Sequence, residues 1–315
     1  MEKPYTILLY YCYTHIENLE EFKEKHYRYC VENNLRGRII IAQEGINGTI
    51  SGLTAACEKY MRDLKEDIRF AHTHFKVAAH HQPTFQKINV RVKQEIVHAG
   101  LPHIHPHQQA GPYVTPNKLQ QMRKNGNVVL LDVRSNYEHR LGKFKGAVTL
   151  DIDHFREFPN QIDTLASLKN KKIITYCTGG VKCEKASAYL LEKGFKNVYQ
   201  LYGGIIQYGL ETDGTDFEGT CYVFDNRLTA PINKKNPIVV SSCYVCHTTC
   251  DRMVNCANPA CNIHVPMCKR CAATLDGTCS PTCQKHPNKR PYNGTGCYAT
   301  TMNGYNPHKI LKIKS

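Results

Sequence analysis

Sixteen cysteines occur in the 315-residue chain, and their spacing divides them between two chemistries. Ten crowd into residues 243–297 as Cys243-x2-Cys246-x3-Cys250-x5-Cys256-x4-Cys261-x6-Cys268-x2-Cys271-x7-Cys279-x3-Cys283, with Cys297 beyond. Two residues between thiolates allow a tight turn that sets both sulfurs about 2.3 Å from one zinc. Cys243/Cys246 and Cys268/Cys271 therefore read as two knuckles of one closed site. Cys256, Cys261, Cys279 and Cys283 can make a second tetrahedral site interleaved with the first, leaving Cys250 and Cys297 over. His247 or His264 could replace any one cysteine. Structural zinc is the favoured occupant; a sulfur-only iron–sulfur cluster uses the same residue types, and spacing does not separate the two.

Cys177 stands apart from that ladder. It is followed by Thr178, Gly179, Gly180, Val181 and Lys182 and then by a helical pattern. Backbone N–H groups of a glycine loop and the positive end of a helix favour a thiolate and cradle an anion bound to it. Lys182 adds a positive charge. Cys177 is predicted to be a reactive nucleophile, with 178–182 as an oxyanion- or phosphate-binding loop, rather than an inert core cysteine. Cys183 could resolve a persulfide into a disulfide; as the favoured alternative it is a first-turn helix residue facing a sheet. Asp132 and Arg134 are expected to pair structurally at the rim of the same crevice. His103, His105 and His107 lie in a proline-rich stretch and are expected to hold no metal.

The elements that must position these residues follow from periodicity. Thr6–Tyr11 reads as a strand, and Ile16, Leu19, Phe22 and Cys30 recur at near-helical spacing. Arg38–Ala42 and Thr49–Ser51 are strand-like and flank EGINGT, where Gly45, Asn47 and Gly48 suggest a turn. Thr54 is expected to cap a helix with Cys57, Tyr60, Met61 and Leu64 on one face, and KINVRV (87–92) to close a βαββαβ, ferredoxin-like α+β domain over 1–95. Residues 96–116, rich in Gly and Pro, read as a linker. VVLLDV (128–133), IITY (173–176) and VYQL (198–201) are apolar strands alternating with helices, the signature of a parallel α/β sheet over 117–220. Active sites of such sheets gather at the carboxyl ends of the strands, where Cys177 falls. Residues 221–315 form the cysteine-rich region.

Composition narrows the function classes. Lys and Arg number 41 against 27 Asp and Glu, a net charge of +14 that attracts polyanions. Lys285, Lys289, Arg290, Lys309, Lys312 and Lys314 follow the last acid, Asp276, as a phosphate-backbone grip would. No run reaches the roughly 18 apolar residues of a membrane helix, and the N-terminus lacks a secretory pattern, so a cytoplasmic location is expected. There metal explains a dense cysteine cluster better than disulfides do. No glycine-rich dinucleotide fingerprint and no two-histidine, one-carboxylate iron set stands out.

With DVR at Asp132–Arg134, Glu138 and the six-residue loop from Cys177 to Lys182, residues 115–215 resemble the rhodanese domain, whose members carry a persulfide on that cysteine. EGINGT, GKFKGA (142–147), YCTGGVKCEKASAY (176–189), YGGI (202–205) and the cysteine ladder together resemble the tRNA uridine(34) hydroxylase family over about residues 5–283. Val181-Lys182 replaces the Ile-Arg more usual in that family, which keeps the charge and loses the bidentate fork. The resemblance implies an oxygen-dependent 5-hydroxylation of the wobble uridine, molecular oxygen as co-substrate, the tRNA anticodon arm as partner and Cys177 as the essential residue. Two other readings stay open: a sulfurtransferase working through a Cys177 persulfide, and a nucleic-acid-binding redox sensor.

Overall fold

The computed structural model describes residues 3–126 and 128–296. The first domain contains β1 (Tyr5–Tyr13), α1 (Leu19–Glu32), β2 (Arg36–Ala42), β3 (Gly45–Leu53), α2 (Thr54–Glu66), β4 (Lys76–His80) and β5 (Ile88–Val92). Its sheet runs β4-β1-β3-β2-β5, with β2 and β5 parallel and the other pairs antiparallel. The ferredoxin-like arrangement is present, but its fourth strand is β4, which the sequence reading passed over. KVAAH is five residues long and alternates weakly, so nothing in its period announces it. KINVRV supplies an added fifth strand on the opposite edge instead.

Two local expectations change. The turn after β2 is Gln43–Glu44, and the glycines of EGINGT lie inside β3. They serve close approach: a Cβ on Gly45 would stand 2.0 Å from the Cys12 carbonyl oxygen, and one on Gly48 2.5 Å from the Tyr10 ring. Thr54 does not cap α2. Leu53 holds the cap position, and the Thr54 hydroxyl donates to the Pro4 carbonyl at 3.1 Å.

Alternation along the strands gives this sheet two unlike faces. Leu8, Tyr10, Ile39, Ile41, Ile46 and Ile50 pack beneath the helices against Cys30, Cys57, Tyr60 and Leu64, with Met61 half-buried beside them. Leu9, Tyr11, Asn47, Thr49 and Arg38 face the second domain.

That domain contains β6 (Tyr113–Val114), α3 (Pro116–Lys124), β7 (Val129–Asp132), α4 (Asn136–His139), β8 (Gly142–Phe144), β9 (Val148–Thr149), β10 (Lys172–Tyr176), α5 (Val181–Glu192), β11 (Asn197–Leu201) and α6 (Gly204–Thr212). The parallel sheet β6-β11-β10-β7-β9 has apolar clusters on both sides, as its continuous hydrophobic strands require. The stretch 96–116 is no loose tether: Ile96, Ala99, Leu101 and Ile104 are buried, the Gly111 N–H donates to Ser187 Oγ at 2.9 Å, and Tyr113–Val114 joins the sheet edge. Each apolar residue there fills its own slot, so no period betrays the packing.

Beyond it, β12 (Phe217–Tyr222) pairs with β8 and with β13 (Thr229–Pro231). β14 (Met253–Asn255), β15 (His264–Pro266), α7 (Lys269–Thr274) and α8 (Pro281–Gln284) surround a small core of Val254, Val265, Met267 and Ala272. Among the described residues no helix is long and apolar enough to cross a membrane. Cys297, Lys309, Lys312 and Lys314 lie outside the described residues.

Candidate active site and metal centres

Strand β10 ends at Tyr176, and α5 begins at Val181 after four intervening residues. Gly180 makes the turn with φ 102°, a conformation that favours glycine. A Cβ on Gly179 would meet the Leu9 side chain at 2.8 Å, so the loop lies flat on β1 of the first domain. Cys177 is buried, and its sulfur accepts the Gly180 N–H at 3.1 Å. Burial opposes ionisation of this thiol. The Cys183 thiol, the charge of Lys182 and the N–H groups of Lys182 and Gly180 outweigh it and bring the pKa from 9.0 down to about 6. Cys183 is fully buried on the inner side of α5, and burial together with its bond to Cys177 pushes its own pKa well up. It is thus both a core residue and a hydrogen-bond donor to the candidate nucleophile.

The other expected site residues take structural positions. Lys182 Nζ lies 2.5 Å from Glu138 Oε2, so much of its charge is already neutralised. Asp132 and Arg134 do pair, Nη2 to Oδ2 at 2.6 Å, but at zero exposure rather than at a rim, and Arg134 also donates to the Gly142 carbonyl at 2.7 Å. This pair braces the strand end from beneath. Thr178 is buried, its hydroxyl donating to the Tyr222 carbonyl at 3.4 Å.

The CEKAS segment at the start of α5 holds the two domains together. Lys185, fully buried, reaches Glu44 at 2.8 Å and Glu95 at 2.5 Å, and Glu95 in turn accepts the N–H groups of Ala99 and Gly100. Glu184 accepts the Tyr11 hydroxyl at 2.9 Å, the Tyr113 hydroxyl, and Gln200 Nε2 at 2.9 Å. This clasp presses the sheet of the first domain over the Cys177 loop. Between them lies a cavity of about 330 Å³ lined by Cys177, Thr178, Gly179, Val181 and Lys182 on one wall and by Leu9, Tyr11, Arg38, Asn47 and Thr49 on the other, with His98 and Phe224 also contributing. Its volume is within the range of ligand pockets. Among the described residues no carboxylate lines it.

Sequence reasoning missed Arg38, Phe224, His98 and Lys76. Lys76 is 3 % exposed, sits 4.7 Å from the Tyr11 ring centroid, and has no carboxylate partner among the described residues. Burial pulls its pKa down to about 8 against the negative charges of Cys177 and Glu184. A single lysine in an unrecognised strand gives no local signal. Arg38 and Phe224 come from different domains and meet only through the fold.

In the C-terminal region the structure gathers the cysteines into Cys243, Cys246, Cys268 and Cys271, and Cys256, Cys261, Cys279 and Cys283. Within each set the sulfurs lie within 4.8 Å of one another. Cys246–Cys268 is 3.8 Å, Cys261–Cys279 3.7 Å and Cys279–Cys283 3.8 Å. A tetrahedron with metal–sulfur bonds of about 2.3 Å has edges of about 3.8 Å, so each quartet fits one ion. A multi-iron cluster would hold the thiolates farther apart. The Cys268 and Cys279 N–H groups donate to Cys243 at 3.3 Å and Cys256 at 3.4 Å, as second-shell donors of a thiolate site do. His247 and His264 join neither quartet; the His264 ring packs on Tyr137 and Tyr222 at 5.5 and 5.4 Å. Nor do His103, His105 and His107 enter a metal group among the described residues. Arg290 is not available to phosphate: it is buried and donates to the carbonyls of Cys256 and Ala257 and to Asn262. Lys289 pairs with Asp276 at 2.6 Å.

Comparison with known proteins agrees with this three-part construction. Residues 5–96 match the UPF0176 acylphosphatase like domain, 115–210 the rhodanese-like domain and 218–284 the rhodanase C-terminal family. A tRNA uridine(34) hydroxylase of Cytophaga hutchinsonii is 55% identical, over 98% of this chain and 99% of its own length. Those of Bacillus cytotoxicus and Streptococcus agalactiae are each 43% identical over 92% of this chain and 91% of theirs. At this identity over nearly the whole of both chains, the chain belongs to the tRNA uridine(34) hydroxylase family.

Proposed function

We infer that this chain hydroxylates C5 of the uridine at position 34 of tRNA, consuming oxygen as co-substrate, and that Cys177 is the residue on which the reaction depends. The family supplies the reaction. The observation that points to Cys177 is its place in the cavity wall, with the Gly180 N–H on its sulfur at 3.1 Å, an arrangement that favours the thiolate. In this reading Cys177 Sγ adds to C6 of the uracil ring, and the C5–C6 electron pair moves toward the C4 carbonyl. C5 becomes the electron-rich carbon that attacks oxygen supplied by O2. One oxygen atom stays on C5 as the hydroxyl, and the other leaves as water at the expense of a two-electron reductant from outside the chain. Loss of the C5 proton with departure of the thiolate from C6 restores the ring. The substrate element is the anticodon arm, whose wobble base must leave its stack to enter the cavity. The two quartets each hold structural zinc, which fixes the fold of 243–296 and takes no part in the chemistry.

The test is mass spectrometry of tRNA nucleosides from cells lacking the gene, complemented with the native chain or with Cys177→Ala. Native protein restores the uridine that is heavier by one oxygen; the variant does not. Equal restoration by both would remove Cys177 from the reaction. The loop geometry, with Gly180 N–H on the Cys177 sulfur, also favours a second reading as a sulfurtransferase. That reading requires sulfite release from thiosulfate without RNA.

A further inference from the structure

One face of the first domain's sheet carries arginines that have no ion-pair partner among the described residues. In an antiparallel ladder residues directly opposite share a face. Arg36 pairs with Ser51, Arg38 with Thr49 and Ile40 with Asn47, while Arg38 and Ile40 align with Asn89 and Arg91 of β5. The face that carries Leu9 and Tyr11 thus continues outward through Asn47 and Thr49 to Arg36, Arg38 and Arg91. The five strands contain no Asp or Glu, and Glu44 and Glu95 at their ends are held by Lys185. All three arginines are exposed, and none forms an ion pair among the described residues; Arg91 Nε donates only to the Asn89 side chain at 2.9 Å. Across the sheet the charges are paired: Glu21 with Lys25, Asp63 with Lys59 and Asp67 with Arg69. The arginines of the sheet face are the ones left for a polyanion.

The basic face ends inside the Cys177 cavity. Arg38 lines that cavity, and so does Phe224, whose ring is 37 % exposed and braced edge-on by Tyr222 at 5.2 Å. Arg36 and Arg38 are two residues apart on one strand, about 6.7 Å along it, comparable to one nucleotide step of an extended strand. An exposed aromatic ring at a basic groove is the usual platform for an unstacked base.

We propose that Arg36, Arg38 and Arg91 grip the phosphates on either side of the reacting uridine in a single-stranded RNA loop, while Phe224 stacks on its base above Cys177. This rests on the reading that Cys177 acts on a tRNA uridine. The affinity then comes from the sheet face of the first domain rather than from Lys289 and Arg290, whose side chains are engaged within the cysteine-rich module.

The experiment titrates the full chain with unmodified tRNA at several salt concentrations. Three phosphate contacts in single-stranded RNA contribute about 0.7 each to the slope of log K against log salt. Arg36→Gln/Arg38→Gln/Arg91→Gln is expected to lower that slope by about 2 and to raise KM for tRNA, whereas the three Lys replacements keep the slope. Phe224→Leu is expected to cut kcat/KM for hydroxylation about tenfold while leaving the slope as in the native chain. Alkylation of Cys177 in Arg36→Gln and Arg91→Gln should proceed at the native rate, which shows that the site is folded. Native slope and KM in the triple Gln variant, with hydroxylation by the native chain intact, would overturn the phosphate grip; native kcat/KM in Phe224→Leu would overturn the stacking platform. A native chain that neither binds nor hydroxylates tRNA would instead remove the parent reading.

Discussion

Cys177 and the cysteines of the C-terminal quartets are the same residue under opposite arrangements. Cys177 stands beside the Lys182–Glu138 pair, one thiol donor and a set of N–H groups, with open volume next to it. The quartet cysteines face one another at 3.7–3.8 Å, where several thiolates are stable only around a cation. One arrangement sets a sulfur beside open volume, and the other sets four sulfurs at the spacing of a single-ion tetrahedron. The difference shows that cysteine chemistry here is decided by what surrounds the sulfur, and it can be broken from either side.

The largest effect is expected from the metal side. Structural zinc contributes on the order of 10 kcal/mol to folding of small modules. Strong chelation, or Cys268→Ala or Cys279→Ala, should therefore unfold 243–296, seen as loss of protected amides there and as less than the two metal ions per chain that elemental analysis of the native protein should give. Retained protection after complete metal loss would refute a structural role. Next comes Cys177→Ser, predicted to reduce tRNA hydroxylation by about 10³-fold or more with metal content unchanged. A drop in metal content would show that the two cysteine classes are not independent.

A third prediction concerns the clasp that builds the cavity roof. Lys185→Met leaves Glu44 and Glu95 facing each other without their cation, and breaking a buried pair in this way costs about 3–5 kcal/mol. The expected result is a clear fall in Tm together with faster alkylation of Cys177, because the first domain no longer holds the loop. Lys185→Met combined with Glu95→Gln should recover part of the Tm. No recovery would place the cost elsewhere than in the unpaired charge.

What could be read in advance follows the same division. Quartet membership rests on local spacing, so Cys243/Cys246 and Cys268/Cys271 stood out as pairs before any fold was known. The Cys177 loop was readable because its glycines and helix start are contiguous. Residues that act across a domain boundary were not. Glu44 looked like part of a turn motif, Lys185 like an ordinary helix residue, and Lys76 lay in a strand too short to show a period; their meaning depends on which faces meet. Arg290 misled in the other direction, since charge alone suggested a phosphate grip while its burial against the Cys256 and Ala257 carbonyls makes it part of the module's frame.

The smallest predicted effect isolates a single hydrogen bond. Cys177 is held near pKa 6, so its alkylation, followed on the peptide that contains it, should be near its plateau above pH 7 and fall about tenfold per pH unit below 6. Cys183→Ala removes the thiol donor. A hydrogen bond to a charged acceptor is worth roughly 1.5–3 kcal/mol, so the midpoint should rise by about 1–2 pH units. Cys183→Ser restores a donor and should bring the midpoint back toward 6. The direction is fixed: the donor stabilises the thiolate, so losing it can only raise the pKa, and reactivity at pH 7 falls while reactivity at pH 9 is nearly unchanged. An unmoved midpoint in Cys183→Ala would mean that Lys182 and the Gly180 and Lys182 N–H groups suffice, and that Cys183 is there for packing alone.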